Sequence, residues 1–181
     1  MQLRLLLQLT HVLVGVSCLN HSLVRQLEDR FLEQFKDALR PIFPGTLWCG
    51  PGDRAKSLED VGLFKGSDSC CREHDICPDN IPGWGSKHGL VNKGPFTKSH
   101  CDCDDRFFQC LKDVMRSTKS PIAPQIGIAY FNVVGPQCFK EEYPIVKCTE
   151  KHKLFPLRCK SYQLDTSRSK EWQWFDPKVF F

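Results

Sequence analysis

The first apolar feature is a run from Leu5 to Val16, with Arg4 before it and the small residues Gly15 and Ser17 at its end. That arrangement predicts a secretory signal peptide over 1–18. The run is too short to span a bilayer and includes Gln8 and His11, and no later segment is apolar enough to span one. The pattern then changes period: Leu23, Leu27, Phe31, Phe35 and Leu39 recur at helical spacing with charges between them. This helix has no cysteine and ends at Arg40, ahead of a Pro- and Gly-containing stretch, which suggests a pro-segment over 19–40. A retained N-terminal helix is the alternative. The sequon Asn20-His21-Ser22 lies in the same piece. Farther on, helical patterning predicts elements over 68–77, 102–116 and about 125–134. The Gly/Pro-rich stretch 78–100 reads as a long loop, and 138–175 as short antiparallel strands.

Cysteine usage turns these elements into a frame. The chain has 11 cysteines; cleavage after Cys18 leaves an even set, which in a secreted chain reads as five disulfides. Cys70 and Cys77 are seven residues apart, as are Cys103 and Cys110, so each pair lies on one face of its helix. If the two helices run antiparallel, Cys70 meets Cys110 and Cys77 meets Cys103. Cys70 and Cys71 are neighbours and should reach to two separate partners. Cys148 with Cys159 is the simplest local loop, while Cys49, Cys71, Cys101 and Cys138 tie other parts of residues 41–181 to the helix pair.

Inside this frame sits His74-Asp75. In the antiparallel register His74 lies level with Arg106, with Asp104 about half a turn away, so a carboxylate is within reach of the imidazole. Asp68 is placed to cap the first helix, and Asp102, Asp104 and Asp105 to favour the start of the second. Gly50 and Gly52, in Trp48-Cys49-Gly50-Pro51-Gly52-Asp53, allow backbone carbonyls to turn toward a common point, which suits an oxygen-liganded cation such as calcium. Pro51 removes one N–H from that loop. A disulfide from Cys49 to Cys71 would set the loop one helical turn from Asp75. The net charge of +4 is too small to argue for nucleic acid, and paired cysteines argue against zinc. His88, His100 and His152 read as surface or packing residues. Ile42, Phe43, Leu47, Trp172, Trp174, Phe175, Phe180 and Phe181 are candidates for a membrane interface, with Trp174 and Phe175 equally suited to a core.

The runs Pro44-Gly45-Thr46-Leu47-Trp48-Cys49-Gly50, Cys70-Cys71-Arg72-Glu73-His74-Asp75-Ile76-Cys77, Ser86-Lys87-His88-Gly89-Leu90, Cys101-Asp102-Cys103-Asp104-Asp105 and Gln173-Trp174-Phe175-Asp176 occur in one order. Together they resemble secreted phospholipase A2 of the bee-venom (group III) type over about 41–178. The resemblance implies an α+β, mainly helical, disulfide-rich fold: two antiparallel disulfide-linked helices, an N-terminal calcium loop and a small C-terminal β region. It implies a catalytic domain over 41–181 that cleaves the sn-2 acyl ester of glycerophospholipids, with His74 as general base, Asp104 orienting it and Tyr130 supporting Asp104. Calcium would be held by the carbonyls of Trp48, Gly50 and Gly52 and the carboxylate of Asp75, with the Gly50 N–H as an oxyanion donor. The implied disulfides are Cys49–Cys71, Cys70–Cys110, Cys77–Cys103, Cys101–Cys138 and Cys148–Cys159. A phospholipid membrane surface is the expected partner and the extracellular space the expected location; no nucleic acid and no obligate protein partner are implied. A non-catalytic toxin or receptor ligand of the same fold is the alternative, and the presence of both His74 and Asp75 speaks for the enzyme.

Overall fold

Two helices carry the molecule. In a computed structural model, which describes residues 42–181, α1 runs Lys65–Asp75 and α2 runs Cys101–Thr118. They pack side by side, stapled by Cys70–Cys110 and Cys77–Cys103, so the matched seven-residue spacings meet as an antiparallel pair. Cys49–Cys71, Cys101–Cys138 and Cys148–Cys159 complete five disulfides. The predicted signal peptide, pro-segment and sequon lie outside the described residues.

The helix ends differ from the sequence reading. Helix α1 starts at Lys65 behind Phe64, with no side-chain cap; Asp68 is a full turn inside it, so it is not the cap. Helix α2 starts behind His100, whose ring accepts the Asp102 N–H at 3.2 Å, so this histidine caps the helix and does more than pack. After α2 the chain forms a short helix α3, Ala123–Gly127, which runs directly into a π-helix, Ile128–Val134. The predicted third helix is therefore two kinds of helix joined end to end.

The loop expected over 78–100 contains two small antiparallel pairs, β1 (Asn80–Ile81) with β4 (Lys98–Ser99) and β2 (Ser86–Lys87) with β3 (Leu90–Val91). His88 and Gly89, both at positive φ, make the two-residue turn between β2 and β3. Asp79 anchors that turn, with Lys87 Nζ at 2.6 Å and His88 Nε2 at 2.9 Å. The His88 ring in turn stacks on Trp172, centroids 3.8 Å apart. The C-terminal part forms two separate antiparallel pairs: β5 (Cys138–Glu142) with β8 (Glu171–Phe175), and β6 (Ile145–Lys151) with β7 (Cys159–Leu164).

The main core lies where α1, α2 and the α3–π segment converge, around Cys70, Phe107, Leu111, Ile126 and Phe131. Phe180 reaches back into it and is 1% exposed. Phe175 is also buried, in the smaller cluster with Cys101 and Cys138, and Phe43 and Leu47 pack against the main core. Phe175 and Phe180 are withdrawn from the membrane-interface set because their side chains are spent on packing, whereas Phe43 and Leu47 are only partly buried and Phe181 stays exposed.

Candidate active site

His74 sits on the last turn of α1 and Asp104 on the first turn of α2, between the two helix-to-helix disulfides. His74 Nε2 is 2.8 Å from Asp104 Oδ1, and the two side chains are 10% and 6% exposed. The Tyr130 hydroxyl, from the π-helix, donates to the same Oδ1 at 3.0 Å and lies 3.2 Å from His74 Nε2. Three elements thus converge on one carboxylate oxygen. Arg106, level with His74 by register, turns instead to Cys103 Sγ. The next residue, Phe107, stacks on the imidazole with centroids 4.6 Å apart. Sequence reasoning missed Phe107, whose apolar side chain looks like any core position on α2.

Burial pushes the Asp104 carboxyl above its usual range, opposed by the hydrogen bonds from His74 and Tyr130. Burial, together with the Asp104 charge, holds the Tyr130 hydroxyl well above its own range, so it stays a donor. With Nε2 engaged at Asp104, the other ring nitrogen, Nδ1, is on the side of Asp75, 4.0 Å from its Oδ1.

Asp75 has a different environment. Its side chain is 33% exposed, yet desolvation pushes its carboxyl up to about 7, with His74 opposing and Asp53 and Asp68 reinforcing the rise. A carboxylate among like charges is one that a cation would relieve. The loop at 48–53 is pinned beside it by Cys49–Cys71, one turn before Asp75. Buried Asp68 organises that loop: its carboxylate accepts the N–H groups of Leu47, Trp48 and Gly62 at 2.9, 2.8 and 2.7 Å. The carbonyls of Leu47 and Cys49 accept from Arg54 N and Phe43 N, and that of Trp48 from Gly50 N within the tight turn; the second lone pair of Trp48 and the carbonyls of Gly50 and Gly52 are the candidate set for a cation. Gly52 takes φ +94°. The Gly50 N–H donates to the Trp48 carbonyl at 3.1 Å, so here it is not aimed at a substrate oxyanion as the sequence reading expected. Among the described residues no three His, Cys, Asp or Glu side chains cluster to hold a metal. The donor set on offer is carbonyl oxygens plus one carboxylate, which matches calcium and not zinc.

An imidazole held by a buried carboxylate, between two disulfides that join its helices, places the chain in the class of small disulfide-rich proteins with a built His–Asp site. Comparison with known proteins narrows it. The phospholipase A2 family model matches residues 42–142. A phospholipase A2 of Bombus pensylvanicus is 46% identical over 135 residues, 75% of this chain and 96% of that one. A phospholipase A2 of Apis mellifera is 43% identical over 155 residues, 86% of this chain and 89% of that one. A group 3 secretory phospholipase A2 of Bos taurus is 49% identical over 96 residues, 53% of this chain but 18% of that longer one. The chain belongs to the phospholipase A2 family, and these relatives place it with the group III type.

Proposed function

We propose that this chain is a secreted, calcium-dependent phospholipase A2 that hydrolyses the sn-2 acyl ester of glycerophospholipids at a membrane surface. The observation that carries the reading is the shared Oδ1 of Asp104, which meets His74 Nε2 at 2.8 Å and the Tyr130 hydroxyl at 3.0 Å. With Asp104 ionised, Nε2–H donates to it and the lone pair falls on Nδ1. Nδ1 then takes the proton of a water as that water attacks the ester carbonyl, and returns it to the departing alkoxide. Asp104 holds the tautomer and ring plane and stabilises the imidazolium that forms. Tyr130 fixes Asp104, and Phe107 fixes the ring from its face.

Calcium held by the carbonyls of Trp48, Gly50 and Gly52 and by Asp75 would supply charge for the substrate phosphate and polarise the ester carbonyl. His74 and Asp75 point to different tasks although they are adjacent. Among the described residues no helix is long and apolar enough to cross a membrane.

The test uses vesicles of phospholipid labelled separately in the sn-1 and sn-2 chains. Calcium-dependent release of the sn-2 fatty acid alone is expected. Release that continues in chelator, or that comes from sn-1, overturns the proposal.

A further inference from the structure

The π-helix that carries Tyr130 ends in a way the backbone alone cannot satisfy. Its final i→i+5 bond runs from the Gly135 N–H to the Tyr130 carbonyl at 2.8 Å. The next such donor, for the Phe131 carbonyl, would be residue 136, and the α-type donor for the Asn132 carbonyl would be residue 136 as well. That residue is Pro136, which has no N–H. The two carbonyls are taken up by one side chain from elsewhere: Arg158 donates from Nη1 to Phe131 O at 2.6 Å and from Nη2 to Asn132 O at 2.8 Å. Gly135, at φ +56°, admits this approach, since a Cβ there would lie 2.1 Å from Arg158 Nη2.

Arg158 is itself held. Its N–H donates to the Phe155 carbonyl, its guanidinium lies over the Phe155 ring at 4.5 Å, and the next residue is in the Cys148–Cys159 disulfide. On the other side of the π-helix end, the Asn132 side chain makes a reciprocal pair with the Phe180 backbone, 2.8 Å each way. A planar fork bridging two carbonyls fixes rotation as well as position, which a point charge does not. Among the described residues the guanidinium is in no ion pair, so its charge is committed to this helix end.

We propose that Arg158, on the β6–β7 hairpin, is a positioning residue: it clamps the end of the π-helix and so keeps the Tyr130 hydroxyl on Asp104 and, through Asp104, the ring of His74. This rests on the relay described under the proposed function.

The experiment is a cycle of Arg158→Ala and Tyr130→Phe, with Arg158→Lys alongside, using the intact protein on phospholipid vesicles. Circular dichroism first establishes folding at the assay temperature. Arg158→Ala is expected to lower kcat about tenfold with KM nearly unchanged, and Arg158→Lys to recover part of that loss. In the Tyr130→Phe background, Arg158→Ala should cost less than about twofold, because the two act on one contact. An equal loss in both backgrounds, or wild-type kcat in Arg158→Ala, overturns the proposal. If Arg158→Ala fails to fold, Arg158→Lys takes its place in the cycle with the same criterion. The ring resonances of His74 give a readout without turnover: they should move in the Arg158 variant, and an unchanged His74 spectrum overturns the proposal. Failure of the underlying relay is separately visible, as hydrolysis that survives His74→Gln in an otherwise unaltered chain.

Discussion

Asp68 and Asp104 are both buried, at 0% and 4% exposure, yet one holds a loop and the other meets His74 and Tyr130. Asp68 is surrounded by backbone N–H donors, so its charge is spent on shaping residues 47–62. Asp68→Ala leaves those donors without an acceptor and is expected to cost about 3 kcal/mol, measured by denaturant unfolding. It should also weaken calcium binding, because the loop carbonyls lose their anchor. Asp75 supplies a prediction in pH. Its folded pKa, about 7, lies above that of an unfolded carboxylate. In metal-free protein the bound proton stabilises the fold at low pH, and that contribution is lost as pH rises toward about 7. Proton and cation compete for the same oxygens, so calcium affinity should fall as pH drops below about 7, read by titration calorimetry on either side of that value.

The pairing of α1 and α2 is the element that makes the site, and cysteine spacing made it legible once the helices were taken to run antiparallel. The seven-residue intervals at 70–77 and 103–110 could match in only one antiparallel way, and that match brings the turn of His74 to the turn of Asp104. Removing one staple tests this: Cys77→Ala with Cys103→Ala is expected to lower stability by about 3 kcal/mol. It should also reduce kcat, since the lost bridge lies three residues from His74 and next to Asp104. Finer features were not legible, for physical reasons. Register gives backbone height, whereas Arg106 bends away to Cys103 and Phe107 takes the ring. Asp68 looked like a cap because aspartate at a helix start usually is one; its loop partners are far off in sequence. The π-helix hides within an ordinary helical pattern, since Ile128–Val134 is too short a segment for its wider turn to show in the apolar spacing. Pro136 was its one visible signal, and only an orphaned-carbonyl argument makes it informative.

At the scale of the whole molecule, the C-terminal hairpins and tail do more than add surface. Phe180 fills the core beneath the π-helix, and the Arg158 clamp joins the β6–β7 hairpin to the same segment. Several aromatics that looked available to a membrane are therefore structural. A cation bound between loop and helix would stabilise the folded chain by mass action: at calcium about a hundredfold above its Kd the gain is about 2.7 kcal/mol. A calcium-dependent rise in Tm that disappears in Asp75→Asn is the expected result of thermal scans.

In the proposed reaction two adjacent residues serve two centres, His74 the water and Asp75 the cation. The most direct measurement determines calcium binding and fatty-acid release in parallel for His74→Gln and Asp75→Asn. His74→Gln should bind calcium as the unaltered chain does while release is lost, and Asp75→Asn should lose both. Hydrolysis that persists in His74→Gln, or undiminished calcium binding in Asp75→Asn, would contradict that division of tasks.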